Sequence, residues 1–230
     1  QFPDDVAPEC IETLSAEIRN LYGGAQPGTV TRRTIHVLDN DQVNSPDDYH
    51  FSRGATATIL SEYPGNIAIN GPPPLTLSVS GVEGEISSVS PKIVGLSHER
   101  VADLDIVLES PSGTYVKLMS DTFLGEVFAI DELDIEFRAD GSFQPNTSPI
   151  LQGPLAPWDH QTNNPDQLLD GTILPANATD LSAFNGEDPN GIWRLHIVDD
   201  NPRTSPPFPS GYGGSLSGGW ELKLTTTPVF

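Results

Sequence analysis

DLDIVLESPSGTYVKLM, residues 103–119, is the stretch from which the architecture can be read. Apolar and polar residues alternate from Asp103 to Leu108, which in an extended chain puts Leu104, Ile106 and Leu108 on one face and Asp103, Asp105 and Val107 on the other. Ser110-Pro111-Ser112-Gly113 follows as a turn, since Pro presets the first bend and Gly accepts a left-handed backbone. Strand character resumes from Tyr115 to Met119. The segment predicts a tight hairpin with one apolar side.

The same alternation recurs outward from this hairpin. Thr56 to Leu60, Leu75 to Val79 and Ile86 to Leu96 are strand candidates upstream, separated by Pro64-Gly65 and by Gly71 with three prolines after it. Downstream, Trp193, Leu195 and Ile197 alternate with Arg194 and His196, and Trp220, Leu222 and Leu224 alternate with Glu221 and Lys223. Two sheets with one apolar face each share a core about 10 Å thick, so an all-β sandwich is expected. The 21 glycines and 22 prolines in 230 residues suit short strands and turns better than helices. Pro91 lacks a ladder donor and predicts that its strand lies at an edge or carries a bulge.

Charge and composition remove several function classes. With 32 acidic and 11 basic residues the formal charge is −21, which excludes a duplex nucleic-acid partner because phosphate binding needs clustered Lys and Arg. Hydrophobic residues make up 36% of the chain and are spread along it, so it builds a core. No apolar run of about 18 residues occurs, so no transmembrane segment is expected. Cys10 is the single cysteine, which excludes an intramolecular disulfide framework. Beginning at Gln1 without a leader, the chain reads as a mature or trimmed product whose targeting segment, if any, is already gone.

Residues 1–50 read as an N-terminal arm and 51–230 as the sandwich domain. Val6, Ile11, Leu14, Ile18 and Leu21 recur at helical spacing before Gly23-Gly24, predicting a helix over 4–22. A short strand is expected from Thr31 to Leu38, then an acidic, turn-rich stretch through Asp47-Asp48. The arm is too short for its own core and is expected to pack on the sandwich or on a second copy. Residues 139–180, rich in Asn, Asp, Pro and Gln, predict a long ordered loop; Asn146-Thr147-Ser148 and Asn177-Ala178-Thr179 fit the glycosylation pattern.

Three further motif groups accompany the hairpin: GEISSVSPKIVGLSHERVADLDIVLESPSGTYVKLMSD (84–121), LSAFNGEDPNGIWRLHIVDD (181–200) and GSLSGGWELKL (214–224). In this order they resemble the P-domain that accompanies the catalytic domain of proprotein convertases, most closely its bacterial secreted and surface-protein form. The resemblance spans roughly residues 51–226. It rests on Ser110-Pro111-Ser112-Gly113, on Phe184, Asn185, Gly186, Pro189, Asn190, Gly191 and Trp193, and on Gly218-Gly219-Trp220. It implies a jelly-roll-like β-sandwich, an extracellular or cell-surface setting, frequent calcium binding and no catalysis by the module itself.

Calcium prefers six to eight hard oxygen ligands. Asp103 and Asp105 project from one strand face and Asp121 closes the hairpin that begins there, so these three are the first-choice ligands. Glu187, Asp188 and Asp199, flanking the Trp193 strand, are the second choice. The five histidines, His36, His50, His98, His160 and His196, have no metal-ligand spacing, no GxSxG elbow occurs, and no enzymatic activity is expected. Trp193 and Trp220 are expected in the core, whereas Trp158 and Tyr212 are the aromatics free to stack on a glycan or partner.

The leading functional expectation is a non-catalytic, secreted, calcium-stabilised structural module, self-assembling or adhesive, such as a surface appendage or filament subunit. Its partner would be a second copy or another extracellular protein. The alternatives are an accessory domain of a secreted subtilisin-like protease and a carbohydrate-binding module.

Overall fold

The structure is a computed structural model that describes residues 47–54, 56–59, 71–122, 129–146, 150, 153–160, 166–175, 178–200 and 213–228, and the backbone of 12–17 and 32–37. The chain divides into two compact units, Gln1–Ser45 and Pro46–Phe230.

In the first unit β1 (Glu12–Glu17) and β2 (Arg32–Val37) form an antiparallel ribbon, with Glu12 opposite Val37 and Glu17 opposite Arg32. The strand expected at Thr31 to Leu38 is there as β2. The helix expected over 4–22 is corrected at its centre, because Glu12–Glu17 is a strand; the rest of that span lies outside the described residues. Leu14 and Ala16 also alternate with Thr13 and Ser15. Pairing with a strand some twenty residues away decides between the two periods, a long-range term that local spacing cannot register.

The second unit is all-β. Its strands are β3 (Asp47–Arg53), β4 (Ala57–Ile59), β5 (Leu75–Val79), β6 (Glu85–His98), β7 (Leu104–Glu109), β8 (Tyr115–Ser120), β9 (Ile130–Ser142), β10 (Trp158–Asp159), β11 (Asp166–Gln167), β12 (Ile173–Leu174), β13 (Gly191–Asp199) and β14 (Gly214–Thr227). One five-stranded sheet has the order β10-β8-β7-β13-β5, the other β3-β14-β6-β9, with β4 also on β14. The acidic pair Asp47-Asp48, expected in a turn-rich stretch, belongs instead to β3, whose Tyr49 and Phe51 pack on the core while the strand pairs along β14.

The inner faces carry the core. Leu104, Ile106 and Leu108 of β7, Trp193, Leu195 and Ile197 of β13, Ile86, Val89, Ile93 and Leu96 of β6, and Trp220, Leu222 and Leu224 of β14 form one apolar cluster. Both indoles expected inside are buried. Trp193 Nε1 donates to the Pro189 carbonyl at 2.9 Å, and its ring meets Phe184 edge-on at 5.3 Å. The hairpin forms at the turn read from sequence: Gly113 N donates to Ser110 O at 3.0 Å, with Gly113 at φ 83°, where a Cβ would be strained.

Of the two outcomes expected for the Pro91 strand, the bulge is the one found, since register shifts interrupt β6 against both β14 and β9. The strand is not an edge strand, since β6 runs between β14 and β9. The β6–β9 ladder, however, starts at Lys92, so Pro91 sits opposite Leu222 of β14 just beyond its reach. The missing donor therefore costs no ladder bond on that side.

A smaller cluster lies on the outer face of the β8-β7-β13 sheet. Val107 and Val198 pack there with Leu168 and Leu174, beside Tyr115. Leu168 and Leu174 come from the β11–β12 hairpin, in the region expected to be one long loop. That region instead contains the end of β9 and three two-residue strands.

Candidate metal centre

At one end of the sandwich several elements deliver carboxylates to the same place. Asp105 stands on the outer face of β7, beside Val107, as the alternation requires. Asp121 follows β8. The β7–β8 register slips between Ile106 and Val107, so β8 carries an extra residue, and a bulge of this kind re-aims the side chains beyond it. Asp121 itself is at φ 53°, a left-handed conformation that Asp tolerates better than most residues. Asp166 opens β11 in the covering hairpin.

Carboxylate oxygens of Asp105, Asp121 and Asp166 lie within 4.8 Å of one another, and all three residues are buried. Asp105 Oδ2 has no hydrogen-bond partner although the residue is only 3% exposed. Asp166 Oδ2 accepts from Lys117 Nζ at 2.6 Å and from Ser120 Oγ at 3.2 Å; Ser120 Oγ also lies 3.2 Å from Asp121 Oδ2.

The surroundings are short of positive charge. Asp159 and Asp200 act electrostatically on members of the trio, and Asp103 and Asp199 act on Asp200. Against them stand Arg100, which binds Asp103, and Lys117, which binds Asp159 and Asp166; the His98 ring faces Asp199, with Nε2 3.6 Å from its carboxylate. Two carboxylates at the spacing of the trio repel by about 3 kcal/mol at an effective dielectric of about 20. Proton affinity rises accordingly. Burial, then the charges of Asp166 and Asp200, hold the Asp105 carboxyl well above the usual range. Burial and Asp166 push Asp121 up to about 6, and burial with Asp121, Asp103, Asp199 and Asp166 pushes Asp200 to about 7. Burial pulls on Lys117 in the opposite sense, but the hydrogen bonds of Asp159 and Asp166 outweigh it and keep its ammonium charged.

The donor set fits a hard cation. Two oxygens bound to one calcium at about 2.4 Å are at most about 4.8 Å apart, the spread of the trio, and every donor is oxygen. The unpartnered Asp105 oxygen is the atom such an ion would satisfy.

The candidate ligands read from sequence fall into two groups. Asp105 and Asp121 join the trio. Asp103 is held by Arg100 and hands its carbonyl to Asp200 N at 2.9 Å, while Asp199 faces His98. Glu187 and Asp188 are engaged elsewhere: Glu187 accepts from the Thr114 hydroxyl, and exposed Asp188 accepts from Asn190 N at 2.9 Å. Asp166 was missed because it belongs to a stretch read as loop. Its signal was Asp170-Gly171 between Leu168-Leu169 and Ile173-Leu174, a turn dipeptide flanked by apolar residues.

Trp158 corrects a further expectation. It is 3% exposed, because β10 adds to β8 in parallel and lays the indole on Phe137 at 5.6 Å, with Nε1 donating to Thr122 Oγ1 at 2.7 Å. It is therefore not a free stacking platform; Tyr212 lies outside the described residues. Three of the imidazoles are engaged: His98 Nδ1 lies 2.8 Å from the Arg100 carbonyl, His196 Nε2 2.8 Å from Glu109 and His50 Nε2 3.1 Å from Glu221.

No protein-family model matches the chain, and no curated protein matches it. Among solved structures, the complex of the Aeromonas sobria serine protease with the chaperone ORF2 matches at 16% identity and a TM-score of 0.34, over 80% of this chain and 28% of that one. The Aeromonas sobria serine protease matches at 18% identity and a TM-score of 0.29, over 95% of this chain and 28% of that one. The chain thus spans little more than a quarter of either. Likenesses at this level carry no argument about function. No helix among the described residues is long and apolar enough to cross a membrane.

Proposed function

We propose that this chain is a non-catalytic, cation-stabilised β-sandwich module serving as an accessory domain of a secreted subtilisin-like protease. The observation that carries the reading is the buried trio of Asp105, Asp121 and Asp166 with its unpartnered oxygen, a donor set that could hold a metal ion. The P-domain-like motifs support it through the work they do. Ser110 to Gly113 closes a hairpin, Phe184 packs on Trp193, and Asn190 clasps Val82 through both backbone groups at 3.0 and 2.8 Å. In the closing motif, Gly219 at φ 79° sits at a register shift of β14. Each of these contacts fixes the sandwich.

In this reading Asp105, Asp121 and Asp166 would hold calcium, which supplies positive charge where the fold concentrates negative charge. The module contributes rigidity and surface to the catalytic domain beside it. Two measurements test the proposal. Calcium at about 100 times its dissociation constant adds about 2.7 kcal/mol and should raise the thermal midpoint by roughly 5–10 °C over metal-free protein; an unmoved midpoint removes the ion. In the full coding region, a subtilisin-type catalytic sequence in frame upstream supports the accessory role, and a frame encoding this module without one overturns it.

A further inference from the structure

The trio joins two parts of the molecule whose other ties are two buried leucines, the contacts of Lys117 and Ser120 with Asp166, and a hydrogen bond between Tyr115 and Thr172. Asp105 and Asp121 belong to the β7–β8 sheet, whereas Asp166 is the first residue of the β11–β12 hairpin. That hairpin has two residues in each strand, too little ladder to stand alone. Beyond that short ladder, its turn is closed by Leu168 N to Thr172 O at 2.8 Å, Gly171 N to Leu168 O at 2.9 Å and Thr172 N to Asp170 Oδ1 at 2.9 Å. It lies over the outer face of the sheet through Leu168 and Leu174, which cover Val107 and Val198, while Leu169 and Ile173 are exposed. Lys117 and Ser120 both hold Asp166, and Lys117 shares its charge with Asp159.

We infer that a divalent cation shared by Asp105, Asp121 and Asp166 is the latch that keeps the 166–174 hairpin closed over Val107 and Val198. This rests on the ion-binding reading above and adds its consequence. Without the ion, Asp166 brings a third carboxylate beside two others inside the protein, and the repulsion acts on the one ligand whose element can move. With the ion, the same three charges become mutual attraction to one centre, and the hairpin is tied to β7 and β8. Ion concentration therefore sets whether the outer apolar face, including Tyr115 and Lys117, is covered.

Hydrogen exchange on the intact chain, with calcium titration calorimetry under the same conditions, tests the latch. The expected result is calcium binding with exchange across 166–174 slowed by about tenfold or more. In Asp166→Asn, which retains the sheet ligands, hairpin exchange should be the same with calcium and in chelator, and circular dichroism checks that it is folded. Heat of binding with hairpin exchange unchanged overturns the latch and leaves the ion site standing. Absence of any heat of binding overturns the ion site, and the latch with it.

Discussion

Asp105 combines full burial, two acidic neighbours and an oxygen without a partner. Such a residue works against the fold until something positive meets it, which gives a crossed prediction. Asp105→Asn removes one buried charge, so in chelator the variant should melt higher than the wild-type chain by a few degrees, a gain of roughly 1–2 kcal/mol. In calcium the order should reverse, because the variant forfeits the ion's contribution. Thermal scans of both proteins in both buffers read the effect, and a variant that melts lower in chelator would mean that the carboxylate is already satisfied. Trp158 teaches a related lesson. Its neighbours in sequence are Pro157 and Asp159, which suggest a polar loop, but its indole is buried on Phe137. Trp158→Ala should cost about 3–5 kcal/mol of stability, measured by urea denaturation, as expected of a core indole.

At the scale of elements, β8 and the covering hairpin explain how a lysine can be wholly inside a protein of this charge. Strand alternation turns Lys117 away from the main core, toward the side where the hairpin and β10 enclose it with Asp159 and Asp166. Lys117→Met preserves the aliphatic length and leaves two buried carboxylates without their cation. It should destabilise the chelated protein by about 3–5 kcal/mol. Calcium should recover part of that loss by neutralising Asp166. Chemical denaturation with and without the ion gives both numbers, and a loss under about 1 kcal/mol would show that the ion pair contributes little. The hairpin's sequence signal, Asp170-Gly171, was legible; its docking on β7 and β13 was not, because the residues it covers are more than twenty positions away along the chain.

For the molecule as a whole, the concentration of acids at one end makes stability depend on pH in a definable direction. Asp105, Asp121 and Asp200 are raised in the folded chain above their unfolded value of about 3.9, Asp121 to about 6 and Asp200 to about 7. Folding then takes up protons between about pH 4 and 7. The destabilisation from Asp121 and Asp200 is fully present above about pH 7, fades as pH falls through about 7 and 6, and is absent below about 4, and Asp105 adds to it in the same direction. Metal-free protein should accordingly melt higher at pH 5.5 than at pH 8. The increment added by calcium should shrink over the same interval as protons compete for the ligands. Melting curves in metal-free and calcium buffers measure both trends, and a metal-free midpoint that rises toward pH 8 would contradict the picture.

The local pattern of residues was enough to establish strands, the Ser110 to Gly113 turn, the apolar faces of β7, β13 and β14 and the core positions of Trp193 and Trp220, because side-chain alternation and turn chemistry are properties of neighbouring residues. It also singled out Asp105 and Asp121, which lie close to one hairpin. Only the three-dimensional arrangement made β1 a strand, placed Pro91 beyond the reach of β9, buried Trp158 and added Asp166 to the other two carboxylates. Each of those outcomes depends on which distant segment arrives alongside. Pairing and burial between remote parts of a chain are settled by the free energy of the whole fold, which no window of sequence contains.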